Sequence, residues 1–289
     1  MPFSFSVLAA FGAILCWGLG DFLIQRNVRR VGNTASLFFI GIVAIIGLFP
    51  FVWHELPLLI EPQNFMLVLA LGIITFVAAM LNFEALKQGK LSVIEVILQI
   101  ELPVTIIFGM AFFRETLSLQ QLAAIGAIFI GVIFMAVKTH QIKNIPKMFE
   151  KGVIIGIFGA IAMGVINFLT AATSRQISPA MAIWGPAAVF IFLCVMLMWK
   201  RNGFGKLWTG IKKFWLPITA MSIIDNAAWV LFAVATFSGE VGIITAITEC
   251  YPAIGLFLGI FINRENVEMH QVFGGLLALA ASIMLATMA

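Results

Sequence analysis

Charge is scarce in this sequence. Only 10% of its 289 residues are Asp, Glu, Lys or Arg, where soluble domains carry roughly 25%. A fold with its whole surface in water is therefore excluded. Cysteine is also scarce: Cys16, Cys194 and Cys250 each fall inside an apolar run, at no spacing that suits a metal site or a disulfide framework. The three histidines, His54, His140 and His270, lie at the edges of apolar runs and do not cluster. There is no phosphate-binding glycine loop, no metalloprotease helix motif and no nucleophile elbow, so ATP hydrolysis and these hydrolase chemistries find no signature. No cofactor or metal is expected. The net charge of +4 is scattered through short stretches between apolar runs, which is no footprint for nucleic acid.

What is abundant is apolar sequence, with 62% hydrophobic residues and a mean hydropathy of +1.09. A spanning helix needs about 20 apolar residues. Ten stretches qualify: 4–25, 34–53, 65–86, 91–113, 119–137, 152–173, 180–199, 214–237, 241–262 and 270–288. The first is read as a retained helix rather than a removed leader, because its apolar part is long enough to span. Strands of a membrane barrel would alternate with period two, and these runs do not. Of the 17 Lys and Arg residues, 15 fall in the odd-numbered connections. Only Arg114 and Arg175 fall on the other side. The excess predicts that the odd connections are cytoplasmic and that both termini lie outside, in a multi-pass protein of the cell (inner) membrane.

A shift of 150 residues aligns 85–136 with 235–286, matching Gly89 with Gly239, Arg114-Glu115 with Arg264-Glu265 and Gln121 with Gln271. Pro103 and Pro252 differ from that register by one residue. Five spans per half is an odd number, so the second half is inverted relative to the first. The expected fold is an all-α membrane protein of ten transmembrane helices in two inverted five-helix repeats, 1–148 and 149–289. The carrying residues are Trp17-Gly18 in the first helix and a helix with a central proline ending in Arg-Glu. A Gln and spaced glycines follow, repeated as Pro252, Arg264-Glu265, Gln271 and Gly274. In these the chain resembles the drug/metabolite transporter superfamily, EamA type. That resemblance implies export of a small metabolite such as an amino acid, nucleoside-like compound or drug, and names no single substrate.

Six carboxylates fall within spans: Asp21, Glu84, Glu95, Glu101, Asp225 and Glu249, with no comparably deep Lys or Arg. Each costs roughly 2.5–3.5 kcal/mol to insert on translocon scales. Glu84, near the cytoplasmic end of its helix, has a bland reading beside Lys87. Glu101 and Asp225 are the deepest pair, with Glu249 third. Helical spacing groups Trp17 with Asp21, Glu95 with Gln99, Thr245 with Thr248 and Glu249, and Asp225 with Asn226 and Trp229. A substrate site is expected from Trp17, Asp21, Glu95, Gln99, Glu101, Asn167, Asp225, Trp229, Thr248 and Glu249, with Trp184 and Tyr251 as aromatic walls. The alternative for the polar residues is interhelical hydrogen bonding as packing glue. A proline within a helix frees the carbonyl four residues earlier. Pro103 would thus free Gln99, and Pro252 would free Thr248, as part of a binding wall or as a plain packing kink. Gly152 with Gly156 and Gly255 with Gly259 match a small-residue packing pattern.

The leading expectation is a secondary transporter, with a small-molecule substrate, the lipid bilayer and protons as partners, in a monomer or homodimer. The competing reading is a membrane-embedded enzyme acting on lipid or isoprenoid substrates. It requires acids or histidines gathered at one membrane face, whereas these acids are scattered in depth. A non-transporting receptor or assembly protein is a third reading, which an inverted repeat disfavours.

Overall fold

The computed structural model describes residues 4–88, 97–136, 151–201, 203–261 and 267–289, and within these not every side chain; those of Asp21 and Lys87 are among the undescribed, and the packing of Gly255 is likewise undescribed. Among the described residues every regular element is helical. The helices are α1 (Phe5–Val31), α2 (Asn33–Val52), α3 (Pro62–Gln88), α4 (Glu101–Phe113), α5 (Leu119–Ala136), α6 (Lys151–Gln176), α7 (Met181–Lys200), α8 (Phe204–Ser238), α9 (Val241–Thr248), α10 (Tyr251–Phe261) and α11 (Met269–Ala286). A short 3₁₀ turn, Leu56–Ile60, precedes α3. Seven helices are long and apolar enough to cross a bilayer, and the apolar stretches Phe5–Gly20, Glu101–Phe113 and Val241–Ile254 supply three more. The chain is a multi-pass membrane protein of ten spans, the ninth divided between α9 and α10.

Several helices outrun their apolar stretches. α1 continues to Val31 and turns into α2 through Gly32 alone, whose φ of +90° only glycine adopts without strain. α8 begins at Phe204, ten residues before its apolar span, and bends where Phe214 leaves helical geometry (φ −131°, ψ 24°). Lys and Arg favour helix and can reach water from an interfacial turn, so a basic stretch does not end a helix as it ends an apolar run.

The pairing of helices displays the repeat. α1 packs on α8, α3 on α6, α2 on α7, α5 on α11 and α4 on α9. Exchanging the halves turns the α1–α8 pair into the α6–α3 pair and returns each of the other pairs to itself, as a two-fold axis requires. α1 and α8 run antiparallel, joined by the Ser6 and Ser238 hydroxyls at 2.7 Å near one end and by Asn27 Nδ2 donating to Pro217 O at 2.9 Å near the other. Lipid supplies no hydrophobic drive between helices, so close approach must come from small residues. α5 and α11 cross at Gly131 and Gly274. A Cβ on Gly131 would lie 2.7 Å from Gly274 O, and one on Gly274 would lie 2.5 Å from Gly131 O. Ser118 and Gln121 cap the start of α5 reciprocally, as Glu268 and Gln271 cap α11 at the position 150 residues later.

Candidate functional site

The fourth span of each half is interrupted at the same place. The first turns at Gln99–Ile100 and resumes as α4 at Glu101; the second turns at Glu249–Cys250 and resumes as α10 at Tyr251. The two breaks are 150 residues apart, the offset of the repeat. The prolines do not kink continuous helices, as the sequence suggested. Pro103 and Pro252 occupy the first turns of α4 and α10, where a missing N–H costs no intrahelical bond. Nor is the Gln99 carbonyl free, since it accepts from Leu102 N at 3.3 Å.

Each break carries a carboxyl group into the interior. Glu101 is the first residue of α4, at the positive end of a half-helix, where a carboxylate is favoured. Its side chain hydrogen-bonds to Glu249, which caps α9 and is 4% exposed, and to Asn167 on α6. A hydrogen bond between two carboxyl groups requires a proton on one of them. Thr105, one turn along α4, donates to Glu101 O at 2.9 Å and lies 3.3 Å from Gly164 O, while Asn167 Nδ2 donates to Thr105 Oγ1 at 3.3 Å. Glu101 is therefore clamped between halves by groups from α4, α6 and the α9 break. Two further polar atoms beside the breaks, Gln99 Oε1 and Thr245 Oγ1, are buried without a partner among the described residues.

An aromatic group adjoins this pair. Trp17 on α1 meets Trp229 on α8 edge to face, with centroids 5.2 Å apart, and lies 5.7 Å from Phe232 and 6.3 Å from Tyr251 at the head of α10. Gly18 makes the approach possible, because a Cβ there would sit 2.6 Å from Ile254 Cβ. One turn before Trp229, Asp225 is buried on α8 with no hydrogen-bond or charged partner among the described residues.

Other polar and aromatic residues singled out from the sequence make different contacts. Trp184 donates its indole N–H to Ile45 O at 3.2 Å and packs with Val52, Val68 and Met181, apart from Trp17. Asn226 beside Asp225 is packing glue: its amide donates to Ile40 O at 2.8 Å and Ser222 O at 2.7 Å. The Thr248 hydroxyl donates to Thr245 O at 3.0 Å within its own helix. Glu95 lies outside the described residues, as does the side chain of Asp21. Glu101 finds its partner in Glu249 rather than Asp225. Thr105 and Phe232 belong to the group and were not singled out from sequence; Thr105 could have been, standing one turn from an intramembrane acid.

Two stretches, 4–137 and 150–287, each match the model of the EamA-like transporter family. A solved crystal structure of another protein superposes with a TM-score of 0.74 over 98% of this chain and 96% of that one, at 15% identity, which speaks to the fold alone. No curated protein matches the sequence.

Proposed function

The chain belongs to the EamA-like transporter family, whose members are of the drug/metabolite transporter type, and we propose that it is a secondary transporter exporting a small amine-bearing metabolite across the cytoplasmic membrane by alternating access, coupled to protons. The observation that carries this reading is the meeting of Glu101 and Glu249 at the paired breaks of the two fourth spans. Broken helices that carry polar groups into the middle of a membrane, at the interface of inverted repeats, are where transporters bind substrate. Intramembrane acids with no deep cation beside them suit a ligand that brings positive charge. A proton and an ammonium group compete for the same carboxyl oxygens, which is how proton uptake on one side would drive amine release. Asp225 and the faces of Trp17 and Trp229 offer the same ligand a charge and cation–π contact. In this reading both termini lie outside, from the Lys and Arg excess in the odd connections, and 1–148 and 149–289 are the moving units.

The test is uptake into proteoliposomes of a panel of labelled amino acids, amines, nucleosides and sugars, with and without a pH gradient. Amine-bearing solutes should cross, faster with the gradient. Passage of sugars with exclusion of every amine would overturn the substrate class. Thermal stabilisation by the same panel ranks affinities by mass action.

A further inference from the structure

The Arg-Glu pair that marks the end of the fourth span takes no part in the central group. Arg114 caps α4 in the left-handed region (φ 57°, ψ 32°), and Glu115 turns back into the protein with its side chain 7% exposed. Glu115 Oε1 accepts from Val241 N at 2.7 Å and Oε2 from Gly242 N at 3.1 Å, the first two residues of α9. Arg175, in the last turn of α6, pairs with Glu115 at 3.1 Å. It also donates to Thr236 O at 2.9 Å and Gly239 O at 2.7 Å at the end of α8, and its guanidinium lies 4.1 Å from the Phe113 ring centroid. Four helix ends drawn from both halves thus meet on two side chains. Each charge sits at its favourable terminus, the carboxylate at the start of α9 and the guanidinium at the end of α8.

All of this lies on the face poor in Lys and Arg, that of both termini. Beneath it run α4 and α9, the half-helices that lead to the central acids. We propose that Glu115 and Arg175 form the latch closing this face over the central site, and that alternating access opens it by withdrawing Glu115 from the first turn of α9. The proposal rests on the transporter reading. The chemistry of the contact distinguishes a latch from a permanent joint. At the α5–α11 crossing backbone lies on backbone and nothing can replace it. At the latch the α9 amides are held by carboxylate oxygens that water can replace, so the net cost of parting is modest. A third charged group, Glu240, lies close enough to feel both charges, its carboxyl raised above its ordinary value by burial and by Glu115 and lowered in part by Arg175.

Hydrogen–deuterium exchange of the full chain in lipid nanodiscs tests this with D2O as the probe. In E115Q, exchange should rise about tenfold or more at 98–105 and 245–251 as well as at 239–244, with 272–286 unchanged, the loss of a charge-assisted hydrogen bond opening the path inward. R175K keeps the charge but loses the planar fork, and should shift the same segments less. A rise confined to 239–244 makes Glu115 a helix cap and overturns the latch. A cross-link supplies the converse without disturbing either charge. A Cβ on Gly242 lies 3.3 Å from Ile106 Cγ1, so I106C with G242C, in a chain whose own cysteines are replaced by alanine, should form a disulfide joining α4 to α9. Oxidation should lower exchange at 245–251 below the reduced level, and reductant should restore it; unchanged exchange refutes the proposal. If exchange behaves as expected while no solute of the panel crosses, Glu115 and Arg175 still close this face, but its opening by alternating access falls with the transporter reading.

Discussion

Gly164 on α6 decides how closely that helix can approach the head of α4. A methyl group placed there would lie 2.7 Å from Glu101 O, 2.6 Å from Val104 Cβ and 2.7 Å from Val104 Cγ1. Carbon contacts are comfortable at about 3.5–4.0 Å, so G164A must push the two helices apart by about 1 Å. Two of the three contacts involve atoms that no rotamer change can move. Overpacking of this kind costs about 1–3 kcal/mol. The displaced element is the first turn of α4, so Glu101 moves away from Asn167, Thr105 loses its approach to Gly164 O, and the pairing with Glu249 loosens. G164A should therefore melt at a lower temperature in detergent and lose most of its ligand-induced stabilisation, the second effect exceeding what the first alone explains. V104A in the same background removes Cγ1 but leaves Cβ and the carbonyl, so it should recover only part of the loss. G164A indistinguishable from wild type in both measurements would refute the packing argument. It would then fail as an account of how Glu101 is positioned.

E101Q and D225N should insert and fold normally yet lose uptake into proteoliposomes or its response to a pH gradient; normal rates with unchanged pH dependence in both would make these acids structural. E249Q should keep the contact to Glu101, because an amide donates where the shared proton stood, while uptake ceases to respond to the gradient. A cysteine at position 289 in a cysteine-free chain should react with an impermeant thiol reagent in intact cells, and labelling only after permeabilisation would reverse the orientation. Because the folded protein raises the Glu240 carboxyl above its ordinary range, its contribution to stability is intact at pH below that range and is lost as pH rises through the raised value. E240Q should match wild type in melting temperature at low pH and exceed it near neutrality; an equal gap at every pH would show that Glu240 is not the titrating group.

The ten spans and their inverted repeat were legible because lipid imposes one demand, about 20 apolar residues per crossing, and the odd count per half does the rest. Helix ends were not legible, because the signal read was apolarity and the helices at Val31 and Phe204 continue into basic sequence. The acids were legible for the cost of burying them. Their pairing was not: depth along the chain singled out Glu101 and Asp225, whereas contact depends on which spans adjoin, and the repeat axis brings α4 to the α9 break. Trp184 failed as a wall for a related reason. Its helix, α7, packs on α2 and α3, and aromatic character says nothing of which bundle face a side chain joins.

The one-residue slip between Pro103 and Pro252 follows from how each half-helix begins. In α4 the second residue, Leu102, closes the break by donating to Gln99 O at 3.3 Å, and the proline takes the third position. In α10 the third residue, Ala253, closes it by donating to Cys250 O at 3.0 Å, and the proline takes the second. Either arrangement leaves one first-turn N–H to tie the half-helix to the break and puts the residue without an N–H in the other slot. The breaks themselves keep strict register, at 99–100 and 249–250, because they set where Glu101 and Glu249 meet. The prolines need only fall within the first turn, where the N–H groups have no intrahelical acceptor. The repeat is thus held most tightly where the two halves touch through polar side chains, and loosely where the backbone offers two equivalent solutions.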